Sequence, residues 1–179
     1  IGMEMDQDAC ESYNKNLSGK CIHQKLSADS SFPDCDVIIG GPPCQPFSVG
    51  GKQLGLKDSR DGFPIFIKAV EVLQPKVWLF ENVRGMAYRN KDYLKEILNE
   101  LEQLNYMISI KIINSKKLNV PQNRERLIVV GHKNKFFFPE DCETTYTVNN
   151  AIGDIAFQIQ EDDIFLTPNQ DKYIKKYEI

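Results

Sequence analysis

The chain has 179 residues, enough for one domain with a real core, and its 41% hydrophobic content is ordinary for a globular protein. No apolar run approaches a bilayer span, so the chain is expected to be soluble, with no membrane partner and no signal peptide. The net charge of −3 argues, taken alone, against a nucleic-acid partner.

In chain order, residues 1–5 read as the end of a strand finishing near Glu4. Asp6 is placed to cap a helix whose apolar face is Ala9, Cys10, Tyr13 and Leu17. A short strand is expected at Cys21–Gln24 and a buried one at Asp36–Gly40. Pro64 suits the first turn of a helix with Phe66, Ala69, Val70 and Leu73 on its buried face, ended by Pro75. Val77–Phe80 reads as a strand. Asn90 caps a longer helix in which Leu94, Ile97, Leu98, Leu101 and Leu104 recur at helical spacing. Met107–Ile113 and Leu127–Gly131 are strands. After Pro139 the sequence turns acidic and turn-rich, with small elements at Ala151–Asp154 and Leu166–Tyr177. Strand and helix alternate, which predicts an α/β fold with a doubly wound, mostly parallel sheet. A boundary is expected near Phe138–Cys142.

Charge is unevenly spread. Between Ile108 and Lys135 stand seven basic residues and one acid, and between Pro139 and Asp163 seven acids and no Lys or Arg. Such runs are most often solvated faces; the functional reading of the first is a basic face that meets phosphates. The five cysteines (10, 21, 35, 44 and 142) form no Cys-x-x-Cys pair, which argues against a zinc site, and no metal is expected. A reducing compartment fits best, because a thiolate nucleophile must stay reduced.

Three segments carry chemistry. Gly40-Gly41-Pro42-Pro43-Cys44-Gln45-Pro46-Phe47-Ser48 follows the apolar run Val37-Ile38-Ile39. Free cysteines are usually buried small hydrophobes, but this one is flanked by turn formers. A strand feeding a stiff loop puts the thiol at the carboxyl end of a sheet, where ligands bind in open α/β folds. Val77-Trp78-Leu79-Phe80 then runs into Glu81, a carboxylate that needs a partner or a task. Finally Arg124 and Arg126 stand at the mouth of the strand that follows Pro121-Gln122-Asn123; alone, they would pass for a solvated charge cluster.

In this order, from about Glu4 to Gly131, the three segments resemble the C5-cytosine DNA methyltransferase family. Pro-Cys-Gln-Pro-Phe-Ser looks like its nucleophile loop, Glu81-Asn82-Val83 like its Glu-Asn-Val motif, and Gln122-Asn123-Arg124-Glu125-Arg126 like its Gln-x-Arg-x-Arg motif. The resemblance implies a Rossmann-like fold of the S-adenosylmethionine-dependent type. Residues 1–138 would be the catalytic part, and 139–179 the start of a small DNA-recognition region. The family's first strand and Gly-rich loop find no counterpart, so the chain is expected to be an N-terminally truncated fragment, inactive alone and a weak S-adenosylmethionine binder.

By the same resemblance Cys44 would attack C6 of a flipped cytosine, which makes C5 able to take the methyl group. Glu81 would hold N3 and the exocyclic amine, and Arg126 would reach O2. Arg124 would brace the loop or pair with a carboxylate. Glu4 would hold the ribose hydroxyls and Met5 would pack on adenine. Gln24 stands where the family has an Asp. Pro43 and Phe63 would also border the cofactor, and the Pro42 carbonyl would accept from the cytosine amine. Gln45, Ser48, Lys52 and Arg60 would contact DNA. The partner implied is double-stranded DNA, met by a monomer in the bacterial cytoplasm at the nucleoid, in the manner of restriction-modification with a cognate endonuclease. Three alternatives stand beside this: a transfer-RNA cytosine methyltransferase, a non-catalytic nucleic-acid-binding remnant, and, more weakly, a cysteine hydrolase or redox protein using His23 or His132.

Overall fold

A computed structural model describes residues 1–27, 29–43, 61–142, 144 and 146–154. The chain divides into two compact units, one of Ile1–Ile113 with Glu125–Glu140, the other of Asn114–Arg124 with the chain from Asp141 onward.

The first unit opens with a β-α-β turn. Strands β1 (Gly2–Glu4) and β2 (Cys21–His23) pair in parallel, Glu4 opposite His23, with helix α1 (Gln7–Asn16) as the crossover. Asp6 caps α1 by accepting from the Ala9 N–H at 2.9 Å. Inside the turn, Cys10 and Cys21 are buried. Leu17, expected on the buried face, instead ends the helix as its C-cap and is exposed.

The rest of the unit carries a four-stranded sheet in the order β3 (Val37–Gly40), β4 (Val77–Val83), β6 (Glu125–His132), β5 (Met107–Asn114). Strand β3 is not the buried strand that its apolar run predicts. Among the described residues it pairs only with β4, and Val37 and Ile39 are 51% and 75% exposed. The sheet is also mixed: β3 and β4 run parallel, but β4 and β6 run antiparallel.

Helix α2 (Phe63–Leu73) carries Pro64 in its first turn, where a missing N–H costs nothing, and stops at Gln74, which takes the left-handed conformation before Pro75. A single turn, α3 (Gly85–Tyr88), leads to α4 (Lys91–Gln103), which begins after Asn90 as its spacing predicts, although no side-chain cap forms there. The core joins Phe63, Phe66 and Val70 of α2 to Ile97 and Leu101 of α4 and to Trp78, Phe80, Leu127 and Val129 of the sheet. Trp78 and Phe80 are two apart on one face of β4, fully buried and stacked at 6.0 Å. The indole lies across Gly131, its register partner, so closely that a Cβ there would come within 1.9 Å of the ring.

In the second unit, a 3-10 helix (Ser115–Leu118) is capped by Asn114, and Lys117 pairs with Asp141 at 2.7 Å. Helix α5 (Val148–Ile152) starts with a capping box between Thr147 and Asn150, three residues ahead of the element expected at Ala151. The element expected at Leu166–Tyr177 lies outside the described residues.

Candidate active site

The carboxyl end of β3 delivers the chain to Gly41, Pro42 and Pro43. Pro42 is buried, and its carbonyl accepts from Asn82 Nδ2 at 3.0 Å, so one of the two lone pairs expected to be available to a base is used inside the protein. Asn82 is itself buried and turned to the opposite face of β4 from Glu81. The Pro43 carbonyl accepts from the Gly62 N–H at 3.1 Å. No Cβ would fit at Gly62, since it would stand 2.5 Å from Pro43 Cδ. Next to Gly62, the buried Asp61 carboxylate accepts from the Phe63 N–H at 3.1 Å through Oδ1 and from the Tyr93 hydroxyl through Oδ2. The chain is thus pinned at Pro42–Pro43 and again at Asp61–Phe63. Cys44, Gln45, Ser48, Lys52 and Arg60 fall between these points and lie outside the described residues.

Glu81 and Arg126 meet at the same end of the sheet. In an all-parallel sheet the start of β6 would lie far from the ends of β3 and β4. The antiparallel pairing reverses this: Val83 opposes Arg126 and Glu81 opposes Ile128, so Arg126 is the diagonal neighbour of Glu81 on one face. Arg126 Nε donates to Glu81 Oε1 at 2.7 Å, with the two side chains 24% and 42% exposed. A pair this open contributes about 1 kcal/mol or less, so a ligand can displace it at small cost. Beside it Arg84 binds Glu125 at 2.6 Å and lies 5.0 Å over the Tyr88 ring. The Glu125 hydrogen bond and charge hold the Arg84 guanidinium still more firmly protonated than usual. Arg126 Nη1 also donates to the Glu125 carbonyl at 2.8 Å, which fixes the guanidinium plane. Arg124 belongs to the second unit, where its carbonyl accepts from the Ser115 N–H at 3.0 Å and its side chain is exposed.

At the end of β1, Glu4 Oε1 accepts from the Met5 and Asp6 N–H groups at 2.7 and 2.9 Å, which orients the carboxylate. Met5 is 64% exposed and free to cover an apolar ligand face. Gln24 adjoins Glu4, its N–H donating to the Glu4 carbonyl at 2.8 Å. His23 holds the Met5 carbonyl at 3.0 Å, a loop-supporting contact. These residues fit the adenosine part of a cofactor. Phe63 is fully buried, edge-on to Phe80 at 5.1 Å and Tyr93 at 5.9 Å. The His132 ring is engaged on both sides, by Ser109 at 2.9 Å and the Asn134 carbonyl at 2.6 Å. The anchors Asp61 and Tyr93 carry no local sequence signal, and Asn82, though within Glu81-Asn82-Val83, finds its partner 40 residues away in Pro42.

The family model for the C-5 cytosine-specific DNA methylase matches residues 1–178. The chain is 50% identical to the Type II methyltransferase M.AplI of Arthrospira platensis, over 99% of this chain and 52% of that protein. It is 40% identical to the Type II methyltransferase M.BanI of Aneurinibacillus aneurinilyticus, over 73% of this chain and 31% of that protein. It therefore spans about half the length, or less, of these curated relatives. Among solved structures, Entamoeba histolytica methyltransferase EhMeth aligns with a TM-score of 0.61 at 21% identity, covering 82% of this chain and 49% of that one. A variant of Spodoptera frugiperda DNMT2 aligns with a TM-score of 0.59 at 22% identity, covering 82% and 46%; both show a shared fold. With the family model spanning almost every residue, this chain belongs to the C-5 cytosine-specific DNA methylase family.

Proposed function

We propose that the protein carrying this chain methylates C5 of a flipped cytosine in double-stranded DNA, in the manner of a Type II modification enzyme. The observation that carries the reading is the Glu81–Arg126 pair, held by antiparallel strands at the sheet end where Pro42 and Pro43 lead into Cys44. In this reading Cys44 forms a bond to C6, and Glu81 holds N3 and the exocyclic amine while donating a proton to N3. Arg126 releases Glu81 and turns to O2, where charge develops on the ring. Glu4, Met5 and Gln24 hold S-adenosylmethionine, which when bound supplies the methyl group. Gln45, Ser48, Lys52 and Arg60 contact DNA from the segment after the nucleophile, and Arg124 braces its own loop or pairs with a carboxylate. Residues 1–138 form the catalytic part and 139–179 begin the region that reads the target. A cognate endonuclease and a monomeric state complete the proposal.

Bisulfite sequencing of DNA from cells expressing the complete reading frame, beside a Cys44→Ala control, tests it. Protected cytosines in one short motif, absent in the control, are expected. No protection with soluble protein present would refute DNA as substrate, and protection that persists in Cys44→Ala would refute the covalent route.

A further inference from the structure

We propose that Asp61 and Tyr93 are a positioning pair for the nucleophile, fixing through Gly62 and Pro43 the backbone step that leads into Cys44. The proposal rests on the methyltransferase reading above.

A carboxylate 6% exposed is costly unless satisfied, and an apolar residue would fill the same space without that cost. Here both oxygens are engaged, one by the start of α2 and one by a hydroxyl from α4. Tyr93 is 5% exposed, and further along α4 Ile97 and Leu101 are fully buried, so the hydroxyl is presented from a rigid element. From Asp61 one peptide bond leads to Gly62, whose N–H holds the Pro43 carbonyl at 3.1 Å. The two backbones are in contact there: a Cβ on Gly62 would meet Pro42 Cα at 3.1 Å as well as the Pro43 ring. One more peptide bond reaches Cys44. Two buried hydrogen bonds at Asp61, one peptide bond and the Gly62–Pro43 backbone contact therefore link the core helix to the exposed residue before the thiol. Sulfur must approach C6 along a defined line, and misplacement by about 1 Å costs up to ~100-fold in rate.

A merely structural clasp would lower stability and the number of competent molecules, leaving each competent molecule as fast as before. A duplex with 5-fluorocytosine at the mapped target separates the two roles. Fluorine stands in place of the C5 proton that must leave, so the Cys44 adduct persists and counts competent sites. In the complete protein, Tyr93→Phe and Asp61→Ala are expected to slow adduct formation per competent site by about tenfold or more, with KM for DNA and for S-adenosylmethionine unchanged. Asp61→Asn, which can still accept from the Phe63 N–H and bond the Tyr93 hydroxyl, should recover most of the rate lost in Asp61→Ala. An unchanged rate per site in Tyr93→Phe, or an Asp61→Asn as slow as Asp61→Ala, would overturn the proposal. Should Tyr93→Phe fail to fold, the two Asp61 variants decide alone. If the wild-type protein forms no adduct, the methyltransferase reading itself fails and the pair's role falls with it.

Discussion

Replacing Asn82 tests how firmly the entry to the nucleophile segment is held. Asn82 is buried, donates to the Pro42 carbonyl at 3.0 Å and accepts from the Val83 N–H at 2.9 Å. Asn82→Ala removes both bonds and leaves a buried carbonyl without its donor, a loss of about 1–3 kcal/mol. For a chain of this size that lowers Tm by roughly 2–4 °C per kcal/mol. Asn82→Asp keeps the shape but puts an acceptor where the donor stood, facing another acceptor. It is expected to be at least as damaging as Asn82→Ala, and more so as rising pH ionises it. The assay pairs thermal unfolding with transfer of labelled methyl from S-adenosylmethionine to DNA, both on the complete protein. Each variant should lose stability by the amount above and turnover by about tenfold or more, since the carbonyl that moves is two residues from Cys44. An Asn82→Asp protein with wild-type Tm and turnover would show that the Pro42 contact holds nothing.

Two further predictions concern the core and the small β-α-β turn. Gly131→Ala drives a methyl group into the Trp78 ring, and denaturant unfolding should report a loss of about 1–3 kcal/mol, the usual range for overpacking; unchanged stability would contradict the tight β4–β6 contact. Burial, helped by the neighbouring Cys10, pushes the Cys21 thiol up to about 11 from an ordinary 9.0. Because the folded state holds this proton more tightly than the unfolded chain, its contribution is fully present below pH 9 and is lost as pH rises toward about 11. Thermal midpoints should therefore fall over that window, and less steeply in Cys21→Val. Tyr106, whose hydroxyl burial also raises its pKa, keeps some alkaline slope in the variant. Equal slopes in the two proteins would refute the assignment.

Periodicity alone located most elements of the first unit. Pro64 and Pro75 bracket α2, and the leucine spacing marks α4. Strand direction was beyond it, because an apolar run such as Leu127–Val130 reads alike whichever way its neighbour runs. That gap bore directly on the site, since Arg126 reaches Glu81 only through the antiparallel register. Exposure of β3 was hidden for a similar reason: Val37-Ile38-Ile39 has the composition of a buried strand, while its burial depends on which neighbours are present. The motifs gave Glu81 and Arg126 because those residues act through their own side chains. Asp61 and Tyr93 carry no such mark: a carboxylate in a polar run and a tyrosine on an amphipathic helix are ordinary until the fold brings them together.

The stacked indole under Gly131 has a spectroscopic consequence. Trp78 is the single tryptophan of these 179 residues, and it is fully sealed from water three positions before Glu81. Red-edge excitation of this chain selects one ring, at the centre of the β4–β6 contact, against a background of tyrosines. A substitution at Glu81, Asn82 or Arg126 that removes turnover while leaving that emission unshifted has altered the chemistry and spared the core. One that shifts the emission toward longer wavelength has let water reach the indole.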